Sequence, residues 1–191
     1  MLSVERQIGI HLGQVGISHV VRYLYALSKI NPGDKVLDVF CGTGYGARMM
    51  GELAKVTAFD KCGEFVAHKN VEFITATYTI VNISGRFNLI TCFEAIEHVP
   101  RSMARNLMKD MMEWLEPDGT ILISSPNQIF YPFDKYKIEH HFFHYTPKEM
   151  EADLKLAGLD VIQWKCQKSK GISRLEDGTD GRYMIAEVKK V

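Results

Sequence analysis

No stretch of this 191-residue chain approaches the ~20 consecutive apolar residues that a membrane-spanning helix needs. Charge of one sign is not in excess either. Lys plus Arg and Asp plus Glu both total 23, so no global field recruits nucleic acid or an anionic surface. The four cysteines, Cys41, Cys62, Cys92 and Cys166, stand at no metal-binding or disulfide spacing, which argues against a stapled secreted scaffold. Internal repeats, low-complexity tracts and a signal-peptide pattern are absent as well. These absences predict one cytoplasmic domain, long enough to bury a substantial core.

What the chain does have is a run that starts as a strand and breaks on glycines: Val36-Leu37-Asp38-Val39-Phe40-Cys41-Gly42-Thr43-Gly44-Tyr45-Gly46. A helical pattern follows to about Leu53. Strand, tight turn and helix N-terminus is the layout by which α/β proteins hold nucleotides. Gly42 and Gly44 would let the backbone approach a ligand where a side chain collides. Val56-Thr57-Ala58-Phe59-Asp60 is a second strand, closing on a carboxylate suited to two ribose hydroxyls. Asp38 discriminates among nucleotide ligands, because a carboxylate there repels a pyrophosphate and attracts the ammonium of an amino-acid moiety. It weighs against a dehydrogenase.

Further strands are expected at 71–75, 87–92 and 120–124, with helices between most of them, which implies a parallel sheet with right-handed crossovers. The short connection from Asp60 to Val71 leaves room for a helix of only about two turns. Ser102 to Leu115 and Pro147 to Ala157 read as helices, the second stopped by Gly158. Two late strands, 161–168 and 183–189, are joined without a helix and so form an antiparallel pair. The first 30 residues read as a helical cap, weakened by Gly9, Gly13 and Gly16, with the better helix from Ser18 as N-cap to Lys29. Residues 31–191 form the remainder of the same unit.

Taken with "FNLITCFEAIEHVP", "LEPDGTILISSPN" and "HHFFHYTPKEMEADLKLAGLDVI", the quoted segments resemble the class I S-adenosylmethionine-dependent methyltransferases over roughly residues 20–165. The resemblance implies a single Rossmann-like α/β domain. Its sheet would be mostly parallel and seven-stranded, with a C-terminal antiparallel hairpin and helices on both faces. It implies S-adenosylmethionine as cofactor, contacted by Asp38, Phe40, Cys41, Gly42, Gly44, Asp60, Lys61, Thr77, Tyr78 and Phe93. Thr77 stands where the family has an acidic residue for the adenine amino group. Asn88 replaces the usual aspartate of the fourth strand, and Phe40 replaces the first glycine of the turn.

Glu94, Glu97 and His98 follow the fourth strand, where donor and acceptor should meet in an open α/β sheet. In one reading His98 is a general base oriented by Glu97 or Glu94. In another, the three are ligands of Mg²⁺ or Mn²⁺, which lowers the pKa of a bound hydroxyl. In a third they are structural. Glu-x-x-Glu-His followed by a distant histidine resembles the metal site of small-RNA 2′-O-methyltransferases and ubiquinone-pathway O-methyltransferases. His141 best matches the distant position, with His140 and His144 as alternatives. Arg22 reads either as a partner for a carboxylate or as a solvated arginine. The expectation is methyl transfer to a hydroxyl of a small molecule. The alternatives are an RNA methyltransferase, against which the charge balance weighs, and a non-catalytic cofactor binder.

Overall fold

A computed structural model describes residues 15–63, 65–169, 171 and 174–191. Residues 1–14, and with them Gly9, Gly13 and nearly half of the expected cap, lie outside the described residues. The elements run α1 (Ile17–Leu27), β1 (Lys35–Val39), α2 (Tyr45–Gly51), β2 (Lys55–Asp60), β3 (Val71–Thr75), β4 (Phe87–Phe93), a 3-10 turn (Ile96–His98), α3 (Arg101–Trp114), β5 (Leu115–Pro126), α4 (Pro147–Leu156), β6 (Leu159–Gln167), β7 (Glu176–Asp177) and β8 (Tyr183–Lys190).

The strands form one sheet in the order β3-β2-β1-β4-β5-β8-β6-β7. β1 to β5 pair in parallel, while β8 runs antiparallel to β5 and β6. The sheet has eight strands rather than seven. The additional one, β7, is two residues long and pairs with Lys165 and Cys166 of β6, where Lys165 Nζ meets Asp177 at 2.7 Å.

Strand alternation sorts the side chains onto two faces. Leu37, Val39 and Ile90 pack with Ala104, Leu107 and Met108 of α3 and with Met150 and Leu154 of α4. Val36, Val56 and Leu89 pack with Tyr23 and Ala26 of α1 and with Ala47 and Met50 of α2. Both faces of the sheet are covered by helices, as expected.

Three local expectations are corrected. No helix forms among the described residues between β2 and β3, or between β3 and β4. Extended chain gains about 3.3 Å per residue against 1.5 Å in a helix, so the short connection from β2 spans the sheet without helix. Phe65, stacked on Phe73 at 4.5 Å, covers the space a helix would fill. Ser18 does not cap α1. Gly16 is the N-cap, and Ser18 is buried one residue inside the helix, its carbonyl accepting from Gln167 Nε2 at 3.0 Å. Finally, β5 starts at Leu115 rather than at 120 and carries Glu116–Gly119 through a register shift, since Phe87 pairs with Leu115 and Leu89 with Thr120. Asn88 keeps a structural role, its Oδ1 accepting from the Lys35 amide at 2.9 Å.

Candidate active site

The C-terminal ends of β1, β2 and β4 open into a cavity of about 1250 Å³, larger than the 300–1,000 Å³ of a typical single-ligand pocket. Phe40, Cys41, Gly42, Asp60, Lys61, Thr77, Tyr78 and Phe93 line it from one side, and Glu94, Glu97, His98 and His141 from the other.

The turn after β1 takes its shape from three alternate left-handed residues: Phe40 at φ 56°, Gly42 at φ 59° and Gly44 at φ 73°. A non-glycine residue in this region costs roughly 1 kcal/mol, and Phe40 holds it by packing edge-on against Phe59 and Tyr78. A Cβ on Gly42 would meet nothing within 4 Å, so this glycine faces open cavity. A Cβ on Gly44 would lie 2.3 Å from the Phe73 ring. Packing alone therefore requires a glycine at 44, which is not among the residues lining the cavity.

Asp60 is already engaged: its carboxylate accepts from the Gly42 amide and the Cys62 amide, each at 3.0 Å, clamping the two turns together. Asp38 is fully buried behind the cavity wall. Its carboxylate accepts from the Thr91 hydroxyl at 2.7 Å and the Tyr23 hydroxyl at 3.2 Å. Burial pushes the Asp38 carboxyl up to about 7, against the opposing pull of these two hydrogen bonds. Tyr23 lines the cavity and Asp38 does not, so the carboxylate lies behind the tyrosine whose hydroxyl it accepts from. The Tyr78 hydroxyl donates to Asp110 of α3, which fixes the loop after β3 against that helix.

After β4 the chain turns at Glu94, another left-handed non-glycine residue at φ 47°. The Glu94 amide donates to Ser124 Oγ at 2.9 Å and its carboxylate accepts from that hydroxyl at 2.8 Å. Arg22 lies 3.6 Å from the same carboxylate and is only 1% exposed, so the reading of Arg22 as a solvated arginine is corrected. Burial raises the Glu94 carboxyl above its ordinary range, while Arg22, Ser124 and Arg182 pull it back.

Glu97 and His98 then sit on the 3-10 turn, and ligand atoms of Glu97, His98 and His141 lie within 4.8 Å of one another. Glu94 is not part of that group. The loop carrying His141 is tied in by the Phe142 amide, which donates to the Glu97 carbonyl at 2.8 Å. His98 Nδ1 faces the His140 carbonyl at 2.8 Å. His141 Nδ1 faces His144 Nε2, and His144 Nδ1 faces the Tyr131 carbonyl, both at 2.6 Å. Burial and the neighbouring imidazoles lower His141 to about 3, so it is neutral at physiological pH.

Arg182, just before β8, also lines the cavity, with its guanidinium 3.5 Å from the Tyr131 ring centroid. Sequence reasoning missed it. No motif surrounds it, and only the β5–β8 pairing carries it to the site.

The model of a methyltransferase domain family matches residues 17–164. The chain belongs to the class I S-adenosylmethionine-dependent methyltransferases. Ubiquinone biosynthesis O-methyltransferase of Xanthomonas campestris pv. campestris (strain B100) is 29% identical across 88% of this chain and 82% of that protein. Among solved structures, the CcbJ methyltransferase of Streptomyces caelestis superposes with a TM-score of 0.72 at 15% identity, covering 92% of this chain and 96% of that one. The N-methyltransferase NodS of Bradyrhizobium japonicum WM9, solved with S-adenosylhomocysteine, gives a TM-score of 0.67 at 14% identity, covering 91% and 85%. These two likenesses establish the fold of this methyltransferase. Among its described residues no helix is long and apolar enough to cross a membrane.

Proposed function

We propose that this methyltransferase transfers the methyl group of S-adenosylmethionine to a hydroxyl of a small molecule, assisted by a divalent cation at Glu97, His98 and His141. The named O-methyltransferase relative supports a hydroxyl acceptor. The carrying observation is the convergence of one carboxylate and two imidazoles within 4.8 Å at the C-terminal end of β4. A carbonyl oxygen only accepts, so Nδ1 of His98 and Nδ1 of His144 each carry a proton. With neutral rings, His144 Nε2 then accepts from His141 Nδ1. Both His98 and His141 are left with an unprotonated Nε2, the form that binds a cation. Carboxylate with two imidazoles suits a first-row divalent cation such as Mn²⁺.

In this reading Asp60 and the Gly42 turn hold the ribose side of the cofactor, and Thr77, Tyr78 and Phe40 hold the adenine. Cys41 and Phe93 line the passage between. The Tyr23 hydroxyl, polarised by Asp38, receives the cofactor's ammonium. Lys61 borders the adenosine end of the cavity. Among the described residues of the 1–30 cap, Gly16 and the α1 residues Ser18, His19 and Tyr23 line the wall. A bound cation would supply acidification and orientation of an acceptor hydroxyl. Glu94 acts beside the trio by fixing the strand end through Ser124. The Glu97 carbonyl holds the loop carrying His141 through the Phe142 amide, and His98, open to the cavity, offers its Nε2 to the cation.

The test is a thermal melt of protein saturated with S-adenosylhomocysteine, titrated with Mn²⁺ against a chelator control. The nucleotide alone stabilises by about 2.7 kcal/mol at a hundredfold excess over its dissociation constant. A further Mn²⁺-dependent rise that disappears in Glu97→Ala supports the cation site. No rise in the wild-type protein would overturn it and leave His98 as a metal-free base.

A further inference from the structure

The sheet order divides the cavity. Residues read for the cofactor cluster at the ends of β1, β2 and β3, while β4, β5 and β8 carry the opposite wall. Two guanidinium groups lie around the Glu94 carboxylate of that wall, and of the two only Arg182 lines the cavity itself. Arg22 lies 3.6 Å from Glu94, with its guanidinium carbon 4.8 Å from the Tyr183 ring centroid, and no hydrogen bond forms from its Nε, Nη1 or Nη2 among the described residues. Arg182 stacks on Tyr131, and its Nε donates to the Tyr183 hydroxyl at 3.3 Å. Among the described residues no carboxylate forms an ion pair with Arg182.

The placement of Arg182 is built rather than incidental. Its carbonyl accepts from the Asn127 amide at 2.9 Å, continuing the β5–β8 pairing, so the backbone beneath the guanidinium is fixed. Stacking on Tyr131 orients the plane of the fork at a position that lines the cavity. The same Tyr131 links Arg182 to the candidate cation group. Its carbonyl holds His144, His144 holds His141, and the Tyr131 and His144 rings lie 5.0 Å apart. The wall therefore runs without a break from a flat cation to the hydroxyl-activating residues. Glu94 pairs with Arg22, which leaves the Arg182 charge unmatched by any carboxylate among the described residues.

We propose that the Arg182 guanidinium receives a carboxylate carried by the methyl acceptor, so that the acceptor is a planar hydroxy acid. The inference rests on the hydroxyl-methylation reading above. A carboxylate fits better than a phosphate, because one unmatched positive charge calls for one negative charge, and the planar fork matches carboxylate geometry bidentately. The cofactor carries a carboxylate of its own, so the test must separate the two sources.

Binding of 3,4-dihydroxybenzoate and of catechol to S-adenosylhomocysteine-saturated protein is measured by calorimetry with a chelator present. This makes the result independent of any cation, whose own reading fails separately in the Mn²⁺ melt. The expected result is at least tenfold tighter binding of the carboxylate, a preference lost in Arg182→Gln and partly kept in Arg182→Lys. Equal affinity, no binding of dihydroxybenzoate, or a preference that survives Arg182→Gln overturns the proposal. The second arm compares S-adenosylhomocysteine with 5′-methylthioadenosine, which lacks the amino-acid carboxylate. If Arg182→Gln weakens only the former, the anion belongs to the cofactor and the proposal falls. Unchanged affinity for both nucleotides in Arg182→Gln supports it and shows that the variant is folded.

Discussion

His141 Nδ1 lies 2.6 Å from His144 Nε2, and the second imidazole is anchored in turn on the Tyr131 carbonyl. His144 is 5% exposed, so this support is shielded from water. The pair resembles in its logic the outer contacts that hold metal-ligating histidines: a fixed acceptor selects the tautomer and aims the other nitrogen. His144→Ala should therefore lower Mn²⁺ affinity about 10- to 100-fold while leaving S-adenosylhomocysteine affinity within about twofold. Calorimetric titration of both ligands against the variant checks this. Equal loss of both affinities would mean that His144 supports the general fold and not the aim of His141.

Asp38 gives a pH dependence of unusual sign. Its folded pKa of about 7 lies above the ordinary 3.8, so the native state binds this proton more tightly than the unfolded chain. Below about pH 4 both states hold it. Between about 4 and 7 rising pH favours unfolding, and above that the full penalty of a buried carboxylate is present. Asp38→Asn keeps an acceptor for Tyr23 and removes the charge. It should be more stable than wild type by roughly 4 kcal/mol at pH 8, with the gap closing by pH 4. The same variant should bind S-adenosylhomocysteine about tenfold more weakly at pH 8, because the field felt by the ligand's ammonium is gone. Denaturant melts at the two pH values decide it. A variant less stable than wild type by the same amount at both would mean that hydrogen-bond geometry, not charge, dominates at this position.

Much of this arrangement is legible in the chain itself. The first three strands fall close to where their apolar runs place them, and the Asp38 and Asp60 strand ends mark the edge of the sheet where the cavity opens. The α4 start is also readable, because Thr146 and Glu149 form a capping box around Pro147. What could not be read depends on distant partners. Arg22 lies on an amphipathic helix and looks solvated until Glu94 and Tyr183 are brought beside it by the sheet. Glu94 and Glu97 share the spacing of a helical face, yet the chain forms only a short 3-10 turn there and sends Glu94 toward Ser124. The missing helix between β2 and β3 is a case where tertiary aromatic stacking replaces local structure. Arg182 has no local signal at all. It becomes a cavity residue only because β8 inserts between β5 and β6.

Gly42 and Gly44 look equivalent in the sequence and are not equivalent in the fold. Both adopt left-handed backbone, so an alanine at either costs about 1 kcal/mol in strain. At Gly44 the added methyl also lies 2.3 Å from Phe73 Cε1 and 2.9 Å from Cζ, inside a stack that Phe65 pins from the other side. Overpacking of this kind adds about 1–3 kcal/mol. Gly44→Ala should therefore lose roughly 3 kcal/mol of stability. At Gly42 the methyl meets open cavity, so Gly42→Ala should lose only about 1 kcal/mol. Its main effect should be at least a tenfold loss of S-adenosylhomocysteine affinity, since the methyl projects where the ligand approaches the turn. Denaturant melts and ligand titrations on the two variants separate these effects. Equal stability losses would refute the packing role assigned to Gly44, and undiminished binding by Gly42→Ala would place the cofactor away from this turn.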